Sequence, residues 1–307
     1  MKAAITGATG FVGKQVVWEL LSCGAEVVVF VRDTGKIPKE WENTVEVVSC
    51  GLEELSKIKP DESRFGKIDY FFHFAWNGTS GNNRADIDMQ LNNVRYTCDA
   101  VCLAAGLGCK RFIYAGSIME YEVFHLLTKD GCAPGLGNIY STAKLTADFM
   151  ARLTAVKHGI DFINVIISNI YGAGERSARF FNSTIMKMLR NEDIPLTEGK
   201  QLYDFIYITD AATMICRAGF YGRKNESYYI GNVVQKPLKE YILQMKEVSG
   251  SSSQLLFGKV PFSGEALSYE EFDTKKAERE LGYTPCVDFE QGIRNYIDWI
   301  ERQRRQG

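Results

Sequence analysis

Residues 4–13 read Ala4-Ile5-Thr6-Gly7-Ala8-Thr9-Gly10-Phe11-Val12-Gly13: an apolar run, three glycines at G-x-x-G-x-x-G spacing, then the start of a helical pattern. A glycine loop by itself signals only a turn, because glycine reaches backbone conformations closed to other residues. Between a strand and a helix it does more. The backbone can then approach a pyrophosphate, whose charge is stabilised by the amides and dipole of the helix N-terminus. Gly7, Thr9, Gly10, Phe11, Val12 and Gly13 are therefore read as a dinucleotide-binding loop.

Outward from the loop, short β-branched or aromatic runs at 3–6, 26–31, 45–49, 70–74, 111–115 and 162–167 read as strands, most of them nearly all apolar. Helical patterns at 12–23, 87–105 and 140–158 lie between them, the first two stopping at Gly24 and Gly106. This alternation predicts an α/β fold, a doubly wound parallel sheet of the Rossmann kind, with a smaller C-terminal substrate-binding lobe. After Tyr171 the character changes. Residues 180–190, 237–248 and 289–302 look helical and 194–201 turn-rich, whereas 205–208 and 228–230 look like strands returning to the sheet. The expected division is a dinucleotide-binding domain over 1–170 to which 203–233 returns, and a lobe made of 171–202 and 234–307.

The chain has 307 residues, 36 lysines and arginines against 38 acidic residues, and a net charge of −2. That balance gives no general electrostatic reason to bind nucleic acid or an anionic membrane, and no run approaches a membrane span, so a small-molecule partner is expected. Eight cysteines without a C-x-x-C pair, and only three histidines, argue against a zinc site. Met1 leads through one lysine into the first strand, so we expect no cleavable leader and a cytoplasmic protein with reduced thiols.

The second strand ends without the acidic residue that would bond an adenosine ribose 2′-hydroxyl; Arg32 and Asp33 follow. A guanidinium there can pair with a 2′-phosphate, which favours NADP(H), with NAD(H) as the alternative; a solvated loop arginine is the plain reading. Tyr140 and Lys144 stand four residues apart at the start of a helical pattern and so share one face. A tyrosine is a poor acid–base catalyst near neutral pH unless an adjacent ammonium lowers its pKa. Ser117, just after the strand 111–115, places a hydroxyl where it can bond the same substrate oxygen.

These stretches, with Asp69 to Trp76, Asn92-Asn93-Val94, Ser168-Asn169-Ile170-Tyr171-Gly172, Asp204 to Asp210 and Asp273 to Pro285, resemble an extended short-chain dehydrogenase/reductase of the NAD(P)-dependent sugar epimerase/dehydratase family, nearly end to end. The resemblance implies that Ser117, Tyr140 and Lys144 are catalytic, with Tyr140 and Lys144 also at the cofactor. It implies that Phe74, Ala75 and Trp76 lie along the cofactor diphosphate and ribose, that Asn93 and Ile170 belong to the cofactor site, and that Ala115, Gly116 and the segment Ile167–Ser168 border the nicotinamide side. Asn169 matches an asparagine that faces the substrate diphosphate. It further implies a homodimer paired through the helices 87–105 and 140–158, whose apolar faces could equally pack on their own sheet. His73 reads as a packed strand residue.

Members that eliminate water from a hexose carry adjacent Asp and Glu after the serine position. Here Ile118 and Met119 stand there and supply no acid or base. The run through Glu120 and Tyr121 resembles reductases acting on 4-keto-6-deoxy sugar nucleotides, with Ser117, Ile118, Met119, Asn169 and Tyr203 as substrate-side residues. Two arginines that grip the substrate diphosphate in relatives are replaced by Tyr203 and Ser263, so either Arg176, Arg179, Lys187 or Lys259 takes over or the substrate lacks a conventional nucleoside diphosphate. The expected activity is NADP(H)-dependent reduction of a 4-keto sugar nucleotide with Tyr140 as proton donor. A nucleotide-sugar epimerase is the alternative enzyme, and a dinucleotide-sensing regulator the alternative outside enzymes.

Overall fold

Strands buried on both faces pair in parallel to form the centre of the fold. The computed structural model describes residues 1–128, 133–262 and 267–306. In chain order the elements are β1 (Lys2–Thr6), α1 (Phe11–Ser22), β2 (Glu26–Val31), β3 (Val45–Ser49), α2 (Glu62–Phe65), β4 (Tyr70–His73), α3 (Ile87–Gly106), β5 (Arg111–Ser117), α4 (Glu120–Thr128), α5 (Asn138–His158) and β6 (Asp161–Ile167). There follow β7 (Ile170–Tyr171), α6 (Phe180–Met188), β8 (Ile194–Pro195), β9 (Leu202–Tyr203), β10 (Ile206–Tyr207), α7 (Ile208–Tyr221) and β11 (Ser227–Ile230). The chain closes with β12 (Lys236–Pro237), α8 (Leu238–Ser249), β13 (Leu255–Leu256), α9 (Lys276–Leu281) and α10 (Phe289–Gln306).

Two compact units result: Met1–Ile167 with Ala212–Tyr229, and Ser168–Ala211 with Ile230–Gly307. The first is built on a seven-stranded sheet of order β11-β6-β5-β4-β1-β2-β3. Every pair from β6 across to β3 is parallel, and the order reverses at β1, as a doubly wound sheet requires. One face carries an aromatic layer of Phe30, Phe71, Phe112 and Phe162, with the Phe71 and Phe112 rings stacked 5.6 Å apart. Burying each such ring contributes roughly 1.5–3 kcal/mol. Ala100 and Ala104 of α3 and Ala147, Ala151 and Ala155 of α5 belong to the same core. Their small side chains let two long helices lie side by side against that layer.

The second unit has its own aromatic core of Tyr171, Phe181, Phe205, Tyr241, Phe289 and Tyr296. Asp204, fully buried, accepts hydrogen bonds from the Ser168 hydroxyl at 2.9 Å, the Asn232 amide at 2.8 Å and the Tyr269 hydroxyl at 3.1 Å.

Two sequence expectations change. The run 205–208 does not return to the central sheet: Ile206 and Tyr207 pair with Ile170 and Tyr171 in a separate two-stranded sheet, and Ile208 opens α7. Aromatic and β-branched residues suit either pairing, so composition alone could not choose. The strand 111–115 runs on through Gly116 to Ser117, which pairs with Ile167. Ser117 is thus the last residue of a strand, fixed by its ladder.

Candidate active site

Gly7 turns the chain out of β1 with φ +73°, and a side chain there would bring its Cβ within 2.6 Å of the Ala75 amide nitrogen. Glycine is needed for the conformation and for the closeness of the two backbones. The Gly10 amide donates to the Gly7 carbonyl at 3.0 Å, and α1 then starts without a side-chain cap at Gly10. First-turn amides not satisfied by a cap are a ready anion site. A Cβ on Gly13 would collide with the Gly7 carbonyl, so helix and turn touch there. Thr9, Phe11 and Val12 are half-buried around this cradle, which fits a dinucleotide pyrophosphate. Arg32 is exposed just past β2, and Asp33 is engaged elsewhere: it accepts from the Gly35 amide at 3.1 Å and pairs with Lys36 at 3.4 Å.

Phe74, Ala75 and Trp76 leave β4 as a half-buried loop held by α3. Asn93, 1% exposed, accepts from the Asn77 amide at 3.0 Å and donates to the Asn77 carbonyl at 2.8 Å. Its side chain thus clamps this loop. Gln90 completes the clamp: its oxygen accepts from the Trp76 indole at 2.8 Å, and its amide donates to the carbonyls of Gly78 at 3.0 Å and Asn83 at 2.9 Å.

The clamp brings Trp76 and Arg84 to α5. The Lys144 ammonium lies 3.8 Å from the centre of the Trp76 ring, and the Trp76 and Tyr140 rings meet edge to face at 6.1 Å. Lys144, nearly buried, donates to the Ala115 carbonyl at 2.9 Å. Two residues on, the Ser117 hydroxyl accepts from the Met119 amide at 3.2 Å and the Ser117 amide donates to Glu120 at 2.9 Å. Arg84 covers the Tyr140 ring at 4.4 Å, and its buried Nε has no partner among the described residues. Tyr140, Lys144 and Ser117 are therefore held at one edge of the sheet, with a cation on the tyrosine face and another on the tryptophan face. Each such contact contributes about 0.5–2 kcal/mol.

Burial pushes the Lys144 ammonium below its ordinary range, opposed by Glu120. Burial likewise holds His73 down to about 3, with Lys144 adding to the effect, so it is neutral. His73 Nδ1 lies 2.9 Å from the Thr6 hydroxyl and Nε2 3.4 Å from that of Thr97, as suits a packed strand residue.

Residues 3–231 match the family described as NAD dependent epimerase/dehydratase. The chain belongs to it. This epimerase/dehydratase-family protein is 26% identical over 98% of both chains to CDP-abequose synthase of Salmonella muenchen. It is 31% identical, over 70% of its own length and 78% of the relative's, to dTDP-6-deoxy-L-talose 4-dehydrogenase (NAD(+)) of Aggregatibacter actinomycetemcomitans. Among solved structures, UDP-glucose 4-epimerase of Thermotoga maritima with UDP-glucose superposes with a TM-score of 0.80 at 19% identity, over 99% of this chain and all of the other. The chain is an enzyme of the extended short-chain dehydrogenase/reductase type.

Within this family member, Ile118 is buried and Met119 half-buried directly after Ser117, where neither can exchange a proton. Ile167 ends β6, and its carbonyl accepts from the Ile118 amide at 3.1 Å. The remaining expected residues lie in the second unit. Ile170 is buried in β7, and the buried Asn169 side-chain amide nitrogen has no partner among the described residues. Tyr203, in β9, lies 5.7 Å from Phe205 ring to ring. Arg176 donates to Gln303 at 2.7 Å and Arg179 stands 4.0 Å from Glu175. Ser263 lies outside the described residues. No cluster of three metal-ligating residues occurs among the described residues, and none of their helices is long and apolar enough to cross a membrane.

Sequence reasoning missed Arg84 and Gln90. Arg84 lies in a short turn without periodicity, and only the polar inward face of α3, with Gln90, Asn93 and Thr97 at helical spacing, could have pointed to the pair.

Proposed function

We propose that the protein reduces a 4-keto-6-deoxy sugar nucleotide with NADP(H). The observation that carries the reading is the joint placement of Ser117, Tyr140 and Lys144 at one sheet edge with only Ile118 and Met119 where a dehydratase needs an acid and a base. When bound in the glycine cradle, the reduced nicotinamide supplies the hydride. The Tyr140 hydroxyl donates its proton to the carbonyl oxygen as that oxygen gains electrons, and the Ser117 hydroxyl donates a hydrogen bond that orients it. Lys144 lends its charge to the tyrosine and holds the cofactor ribose. Trp76, Phe74 and Ala75 wall the cofactor side, and Arg32 selects the 2′-phosphate. Asn169 offers its side-chain amide to the substrate diphosphate, and Arg84 supplies a cation to the substrate in place of the arginines absent at 203 and 263. A relative named as a 4-dehydrogenase of a dTDP-6-deoxyhexose supports chemistry at C4.

A second copy of the chain is the expected partner. Ile87 and Leu91 on α3 and Phe149, Met150, Leu153 and Val156 on α5 are exposed on adjacent helices, an apolar area that pairing would cover.

Reduced-nicotinamide absorbance followed across dTDP, GDP, CDP and UDP sugars tests the activity. NADPH consumption with a 4-keto-6-deoxyhexose, and no dehydration of the parent hexose, is the expected outcome. Net isomerisation without change in reduced cofactor would establish an epimerase instead.

A further inference from the structure

The buried polar residues of the central sheet, Thr6, His73 and Asn164, fall in one row. Register places Thr6 beside His73, His73 beside Tyr114 and Tyr114 beside Asn164, and partners in register project to the same face. Helix α5 lies over this row: the Tyr114 hydroxyl donates to the Lys144 carbonyl at 3.0 Å, and the Lys144 ammonium is 5.1 Å from the Tyr114 ring. One turn along, Asp148 faces the same way and pairs with Arg152 at 3.1 Å. Just after β5 the chain folds back so that Glu120, 2% exposed, accepts the Ser117 amide at 2.9 Å. The Asn164 side chain acts on both Glu120 and Asp148, drawing each carboxyl down, in space kept open by Gly116, where a Cβ would collide with the Asn164 amide group.

Capping the Ser117 amide would need only a neutral oxygen. A carboxyl so deeply buried costs free energy that a glutamine would avoid, so its charge calls for a partner. The Glu120 carboxyl sits on the Ser117 amide and the Lys144 ammonium on the Ala115 carbonyl, two residues apart at the end of β5; Asp148 from α5, Tyr114 from β5 and Asn164 from β6 also act on it, and Tyr140, His73 and Arg152 face the next members of the cluster. Burial and Asp148 push the Glu120 carboxyl up while Lys144 draws it back; burial pushes Lys144 down while Glu120 raises it.

We propose that Glu120 is a positioning residue of the active site: its carboxylate keeps Lys144 charged beside Trp76 and, through the Ser117 amide, holds the serine at the end of β5. Its bearing on turnover rests on the roles proposed for Ser117, Tyr140 and Lys144. The linkage of charges is measurable without substrate.

The test uses full-length protein carrying ¹³C at lysine Cε and glutamate Cδ, titrated by NMR without ligand, in wild type, Glu120→Gln and Lys144→Met. Glutamine keeps an acceptor for the Ser117 amide and removes the charge. Lys144 in Glu120→Gln is expected to lose its proton at a pH lower by about one unit or more, as for removal of a close opposite charge. By the same linkage, Glu120 in Lys144→Met should titrate about as much higher. The alkaline limb of the kcat–pH profile of Glu120→Gln should move down with Lys144. Unchanged titration of Lys144 in the first variant and of Glu120 in the second overturns the proposal. If Glu120→Gln does not fold, the Lys144→Met titration decides alone. Shifted titrations with no turnover of any sugar nucleotide by wild type would sink the reductase reading and leave this linkage standing.

Discussion

Along β1 and β2 the site is made of backbone, whereas along β4, β5 and β6 it is made of side chains. The first half offers the Gly7 turn, an uncapped helix start and strands whose middles, 3–5 and 27–31, are apolar. The second offers Trp76, Tyr140, Lys144, Ser117 and a buried polar row. A pyrophosphate needs only close approach and oriented amides, which any sequence with the right glycines supplies. A proton transfer needs particular groups at particular distances, so polar residues enter the buried middle of a sheet that is otherwise apolar there.

The largest effect should come from breaking the side-chain half alone. Tyr140→Phe removes the transferable proton and keeps the ring beside Trp76. Turnover should fall by about 10²–10⁴-fold while cofactor affinity, measured by fluorescence titration, stays near wild type. Near wild-type kcat in this variant would refute the assignment. The converse is Gly7→Ala, which forces a side chain into φ +73° against the Ala75 backbone. Strain of about 1–3 kcal/mol is expected, seen as a lower denaturation midpoint together with loss of binding for both nicotinamide cofactors.

Arg32→Ala tests the one side chain expected to matter in the backbone half. It should weaken NADPH binding by about 1.5–3 kcal/mol and leave NADH binding nearly unchanged. Equal effects on both cofactors would reduce Arg32 to a loop cation. The smallest effect at working pH concerns the polar row. His73 is neutral when folded, with its pKa held down to about 3, whereas an unfolded histidine takes a proton near 6.5. The unfolded state therefore binds more protons between those values, and stability is lost as pH falls through that window. Replacing it, as in His73→Gln, should flatten the pH dependence of urea midpoints between about 6.5 and 3 and change little above 7.

The same division governs what was legible in the sequence. Glycine spacing announces a backbone site because the constraint falls on one short stretch, and the apolar strands of the sheet were readable within a residue or two. Tyr140 and Lys144 were readable because helical spacing puts them on one face. The helix α4, directly after Ser117, went unread, and with it the fold-back that buries Glu120. Arg84 reaches Tyr140 only because Gln90 and Asn93 hold an irregular loop, and Asn164 meets Glu120 only through strand register, across 44 residues of chain. Such contacts belong to tertiary geometry and leave no local pattern.

The indole of Trp76, touching the Lys144 ammonium and facing Tyr140, gives the protein an optical probe beside a buried ammonium. The other three tryptophans are Trp18, Trp41 and Trp299. Trp18 and Trp41 pack against each other, and Trp299 stacks on Tyr296. Replacing those three by phenylalanine would leave emission from one ring alone, so the protonation of a buried lysine could be followed as a colour shift in real time.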